Sequence, residues 1–165
     1  MASHCRFIKI AFMLSLLVFL YGFGPSVTAN ERAYTPRSAE EVEVLSLVVG
    51  SEIRANNWPK STLVCFSVDG LDPSANLAKS LRERYSSVRS SADWAKKFNC
   101  GFELQLEYTQ FDLSRSIKVR SKVVDLREIN KGEGHFGILT KGGEYSLKKV
   151  DGKWAITQYA AKPVT

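Results

Sequence analysis

Histidine is nearly missing from this chain. There are two, His4 and His135, and three cysteines, Cys5, Cys65 and Cys100. Structural and catalytic zinc sites draw on closely spaced Cys and His ligands. No such spacing occurs, so no metal centre is predicted. No G-x-S-x-G is present, which removes the strand–turn–helix that presents a hydrolase serine. Nothing repeats internally, and no segment has low complexity. Lys and Arg are not densely clustered, so nucleic acid is not an expected partner. The longest apolar run, Ile10 to Phe23, is shorter than the roughly 20 residues a spanning helix needs.

That run has flanks with a meaning of their own. Arg6 and Lys9 precede it, Gly24-Pro25 breaks it, and Ser26-Val27-Thr28-Ala29 follows ahead of Asn30. This is the three-part layout of a secretory signal peptide over residues 1–29, with cleavage expected after Ala29. His4 and Cys5 leave with it. The product is expected to be secreted or periplasmic, and to meet a membrane only through this segment before cleavage. An uncleaved anchor is the rival reading and stays open, because run length alone does not decide cleavage.

What remains, residues 30–165, suits a single domain able to bury its own core. Without Arg6 and Lys9 its net charge falls from +6 to +4, which is mildly basic. Cys65 and Cys100 form an even pair in an exported chain, and one disulfide is expected. On the chain-entropy model it stabilises the fold by about 3–4 kcal/mol. Two buried free thiols are the alternative.

Residues 30–37 read as a flexible lead-in to a domain over 38–165. Ser38-Ala-Glu-Glu41 fits a capping box. Val42, Leu45, Val48, Val49 and Ile53 then give one apolar helix face, which Gly50 weakens. Ser61 to Val68 reads as a strand. Asp72-Pro73 reads as a second helix start with Asp72 as N-cap, and Leu77, Ala78, Leu81 and Tyr85 form its stripe. A short strand is expected near Val88, then a turn around Trp94. Phe102, Leu104, Leu106 and Tyr108 alternate with Glu103, Gln105 and Glu107 in a half-buried strand. After a turn at 113–115, Ile117 and Val119 alternate with lysines and Arg120. Val124 and Leu126 fall on the other parity, and a bulge near Val123 restores all four to one face. A strand over 135–140, a break at Gly142-Gly143, and two strands around Asp151-Gly152 complete the chain. That turn sets Lys149 opposite Trp154 and Leu147 opposite Ile156. The expected class is α+β, with one or two helices packed on a curved antiparallel sheet.

The ending, from Gly143-Glu-Tyr145 through Asp151-Gly152-Lys-Trp154-Ala-Ile156, resembles the last hairpin of nuclear-transport-factor-2-like and cystatin-like domains. It looks especially like exported bacterial proteins of unknown function with this hairpin. Cys65-Phe-Ser-Val-Asp69-Gly70-Leu-Asp72-Pro73 is similar to a stretch of the same proteins. The resemblance covers about the last third of the chain well. It implies a cone-like α+β fold whose interior can hold a pocket. It implies no reaction, and no catalytic residue matches.

The remaining candidates are few. Gly132 to Gly137 spells G-x-G-x-x-G, but a strand pattern follows it where a dinucleotide site needs a helix, so it reads as a turn. Asp69 and Asp72 match no calcium loop and read as turn and cap residues. His135 can serve as a lone general base only beside a carboxylate that sequence cannot place. Trp58, Trp94 and Phe111, with His135, are candidates to line a pocket. Arg115, Lys118, Arg120 and Lys122 form a stripe able to touch anions, though Glu103 and Glu107 stand close enough to neutralise it.

No cofactor, metal or catalytic residue is assigned. The expected function is an exported, non-enzymatic domain that binds an unknown protein or small ligand. Two alternatives stand beside it. One is a small hydrolase or isomerase using His135. The other is an accessory protein holding an anionic envelope polymer on the 115–122 stripe.

Overall fold

Ser38 starts the first helix. Its Oγ accepts from the Glu41 N–H at 3.2 Å, and α1 runs Ala39–Asn56. Only half of the expected capping box forms. The Glu41 carboxylate accepts from the Arg37 N–H at 2.6 Å and from the Tyr34 hydroxyl, rather than from Ser38. At the far end Asn57 adopts the left-handed conformation, φ 47°, and its N–H bonds Arg54 O. The structure, a computed structural model, describes residues 33–59, 61–90, 100–127 and 138–162. All belong to one unit, Arg32–Thr165. The expected signal segment, Trp94 and His135 lie outside the described residues.

The buried face of α1 is Val44, Leu45, Val48 and Val49, and it also carries Glu41 and Glu52. Val42 and Ile53 sit at its margins. Strand β1, Val64–Val68, is buried throughout. After the Asp69-Gly70 turn comes α2, Ala75–Arg84. Its N-cap is Ser74, whose Oγ accepts from the Leu77 N–H at 3.4 Å, two residues later than the expected Asp72. The reason is a contact from a distant part of the chain. Asp72 O is taken by the Tyr34 N–H at 2.6 Å, and Tyr34 O accepts from the Ser74 N–H at 2.8 Å. Tyr34 is thereby tied down within the stretch read as a lead-in. Tyr85 crosses from α2 to α1, donating from its hydroxyl to Ser46 O at 2.9 Å. Any Cβ on Gly50 would collide with that phenol, which accounts for a glycine in mid-helix.

The other strands are β2 (Val88–Ser90), β3 (Phe102–Asp112), β4 (Ser116–Asp125), β5 (Ile138–Val150) and β6 (Lys153–Lys162). They make one sheet in the order β2-β1-β3-β4-β5-β6. The expectation of an antiparallel sheet is corrected here, because β1 pairs in parallel with both β2 and β3. Helix α2 is the crossover that returns the chain to the same end, which parallel strands require. The rest of the sheet is antiparallel.

Three bulges set which side chains face inward, and in the last Thr157 is an extra residue in β6, since Ser146 pairs with Gln158 and Leu147 with Ile156. Thr109 is an extra residue in β3, since Tyr108 pairs with Val119 and Gln110 with Lys118. Tyr108 and Phe111 therefore share the core side. The irregularity expected near Val123 is present, but the extra residue is Thr140 of β5, as Val123 pairs with Lys141 and Val124 with Leu139. Strand β4 keeps its alternation. Ile117, Val119 and Val123 enter the main core, while Val124 and Leu126 pack with Cys65 and Cys100 on the opposite face. The four apolar residues are thus split between faces, contrary to expectation. Gly142 and Gly143 continue β5 rather than breaking it. The Tyr159 ring lies where a Cβ on Gly143 would project.

The closing hairpin has the expected register, Lys149 opposite Trp154 and Leu147 opposite Ile156. Asp151 and Gly152 have φ of 50° and 77°, the pair of positive values a primed two-residue turn needs. Both helices lie on one face. Leu45, Val48, Phe66, Leu104, Leu147 and Trp154 fill the space between them and the sheet. The other face is open to solvent except where the disulfide cluster covers it.

Candidate functional site

The disulfide joins Cys65 of β1 to Cys100, with Cα atoms 5.8 Å apart. Both cysteines are buried, so the bond serves as core for the second cluster.

Beside that cluster, β1, β3 and β4 floor an open groove of about 820 Å3. Alternation along the strands builds it. Phe66, Phe102, Leu104, Val119 and Ser121 are buried and the residue after each faces outward, so Ser67, Glu103, Gln105, Arg120 and Lys122 line it together. Asp69 stands at its rim, where its Oδ1 accepts from the Tyr108 N–H at 2.9 Å. Asp69 is thus a turn residue joined to β3, as its sequence position suggested.

The basic stripe is not uniform. Arg120 donates to Glu107 at 3.1 Å, and the register also places Glu144 opposite it on β5. Glu144 in turn takes Lys162 at 3.6 Å. Lys118 faces Gln110 and Ser146, and Lys122 faces Gln105 and Gly142. Directly opposite carboxylates therefore flank Arg120, whereas the residues opposite the two lysines are uncharged. Arg115 is exposed in the β3–β4 turn.

Of the aromatic candidates, Trp58 and Phe111 lie in different parts of the fold. Trp58 stacks on Phe102 with centroids 5.0 Å apart. Phe111 meets Tyr108 edge-on at 5.0 Å and lies under Arg37. Phe102 and Phe111 are nine positions apart on β3, about 30 Å at the strand rise. His135 and Trp94 fall outside the described residues, as does the Gly132–Gly137 motif.

Two buried polar clusters went unread in the sequence. In one, Glu52 Oε1 accepts from Ser121 Oγ at 2.6 Å and Tyr145 Oη at 2.9 Å. Its Oε2 accepts from Asn56 Nδ2 at 2.9 Å, with Lys141 Nζ at 3.9 Å. Burial, with the Glu52 carboxylate next to it, holds the Tyr145 phenol well above its usual range. In the other, burial and the bond to Glu41 push the Tyr34 phenol up. Burial, with Tyr34 and Glu41 close by, does the same to Tyr108. Tyr108 Oη is the one buried side-chain polar atom without a hydrogen-bond partner among the described residues. The signal was present in the spacing, since Glu41, Leu45, Val48 and Glu52 recur at four, three and four. Polar residues on an apolar stripe are easily assigned to its solvated side.

Among the described residues no three His, Cys, Asp or Glu could hold a metal ion together, and no helix is long and apolar enough to cross a membrane. The fold these residues define is α+β, two helices on one face of an open six-stranded mixed sheet. No family model matches the chain, and no curated protein or solved structure matches it either.

Proposed function

We propose that this chain is an exported, non-enzymatic binding domain of the cone-like kind its closing hairpin resembles, and that it takes a polar ligand in the groove over β1, β3 and β4. The groove carries this reading. It joins hydrogen-bonding groups of both kinds, Ser67 and Gln105, to the cation of Lys122. Support also comes from the filled interior, where Leu104 and Trp154 share one core with residues of both helices and leave the outer face for recognition. A disulfide between buried cysteines suits an oxidising space.

The test uses a variant that fills the groove without touching the core. Gln105→Trp places a large side chain over the floor. Exported small-molecule extract is passed over both proteins, and native mass spectrometry reads the bound mass. Wild type should retain a species that Gln105→Trp loses. Equal retention by both proteins would move the ligand site elsewhere.

A further inference from the structure

We propose that the end of the sheet formed by the β3–β4 and β5–β6 turns docks on an anionic lipid surface through Lys118, Lys148, Lys153 and Arg115, with Val150 as its apolar contact. These two turns lie at the same end, because Ile117 near the start of β4 pairs with Leu147 near the end of β5. Alternation from buried Ile117, Leu147 and Trp154 puts Lys118, Lys148 and Lys153 on the solvated face. Lys148 pairs with Ala155, and Lys153 with Val150. Among the described residues none of these four cations forms an ion pair within 4.0 Å, although Arg115 is close enough to help the Ser114 hydrogen bonds hold the Asp112 carboxyl below its usual range. The one other lysine at this end, Lys149, is held by Glu40 at 2.8 Å on the helix side. Two acids are present besides Glu40, whose charge Lys149 cancels. Asp112 is occupied by the Ser114 N–H and hydroxyl at 2.9 and 2.6 Å, and Asp151 occupies the turn itself. Counting the four cations against both acids, the end carries +2.

Val150 decides between partners. It is 50% exposed and stands among the lysines at the tip of a hairpin. A linear polyanion lying along β4 would leave the lysines and meet Glu107 and Glu144 on either side of Arg120. A lipid plane approached end-on touches the cations and Val150 and stays clear of that acidic row. Basic residues at an anionic leaflet add attraction that decays within a Debye length.

The test measures partitioning of the full-length protein onto vesicles. Phosphatidylcholine vesicles with about a third phosphatidylglycerol are compared with phosphatidylcholine alone. Arg6, Lys9 and the Ile10–Phe23 run are common to every variant, so the change in ratio from wild type to variant cancels what they contribute. Each lysine removed should lower the ratio about fivefold, so Lys148→Gln/Lys153→Gln should lower it roughly 25-fold. Val150→Asp should lower binding with every lysine kept. Lys79→Gln/Arg82→Gln, on the exposed side of α2, should leave the ratio unchanged. An equal loss in both double variants would mean diffuse charge attraction and overturn the proposal. So would a ratio near one for wild type. If the tip lysines control retention on dextran sulfate and leave the vesicle ratio untouched, the site reads a polymer and the lipid assignment is wrong.

Discussion

Glu52 gives the sharpest test of how this fold is held. It is fully buried between α1 and the sheet, and its carboxylate is the shared acceptor for Ser121, Tyr145 and Asn56. Glu52→Leu keeps the volume and removes the acceptor. Two hydroxyls, Ser121 Oγ and Tyr145 Oη, are then buried without that partner. Asn56 keeps its second bond, to Glu52 O at 2.8 Å. Each orphaned donor costs about 1–3 kcal/mol, so the substitution should destabilise the domain by roughly 4 kcal/mol. Lys141 adds little, being 3.9 Å away and one-third exposed. Tyr145→Phe alone should cost about 1–2 kcal/mol. The triple variant Glu52→Leu/Ser121→Ala/Tyr145→Phe removes donors and acceptor together. It should recover to within about 1 kcal/mol of wild type, because a buried polar network is commonly replaceable by matched apolar side chains. Urea unfolding followed by fluorescence measures all four, with the m-value checking that two-state behaviour holds. Additive losses, with the triple variant the least stable, would refute this account of the cluster.

The same architecture predicts an alkaline weakness. Tyr34, Tyr108 and Tyr145 keep their protons above the ordinary phenol value of 10.0, while an unfolded chain releases them near it. The folded state then binds more protons, so stability is complete below pH 10 and declines as pH rises. The decline is about 1.4 kcal/mol per pH unit for each phenol. Urea midpoints at pH 9, 10 and 11 measure it, and Tyr145→Phe should shallow the slope. An identical slope in that variant counts against the assignment. For the disulfide, spanning 35 residues, Cys65→Ala and Cys100→Ala should each lower stability by about 3–4 kcal/mol, with little further loss in the double variant. Calorimetry of the three variants would expose additive losses if the thiols were unbonded.

Local chemistry was legible wherever one short stretch decided it. Ser38 can cap a helix because its hydroxyl reaches an N–H three residues on. Asp151-Gly152 can turn a hairpin because both residues tolerate positive φ, and the register of Leu147 and Ile156 follows from the count. The β3 alternation separates a core face from a solvated one in the same way. The sequence alone therefore determined the α+β class, the closing hairpin and the cysteine pair.

Tertiary structure decided the rest, because those outcomes depend on groups far apart in the chain. Parallel pairing of β1 with β3 is a choice among strands that no local period encodes. Asp72 lost its cap role to Ser74 because Tyr34 took its carbonyl. Val124 and Leu126 stayed on the outward parity of β4 because the bulge fell in β5, and there they met Cys65 and Cys100. Glu52 became interior because Ser121 and Tyr145 arrived from β4 and β5 to satisfy it. Arg120 and Lys118 look alike along β4, yet only Arg120 met acids on both neighbouring strands. Periodicity names which side of a strand a residue takes. What it meets there depends on which strands come to lie beside it.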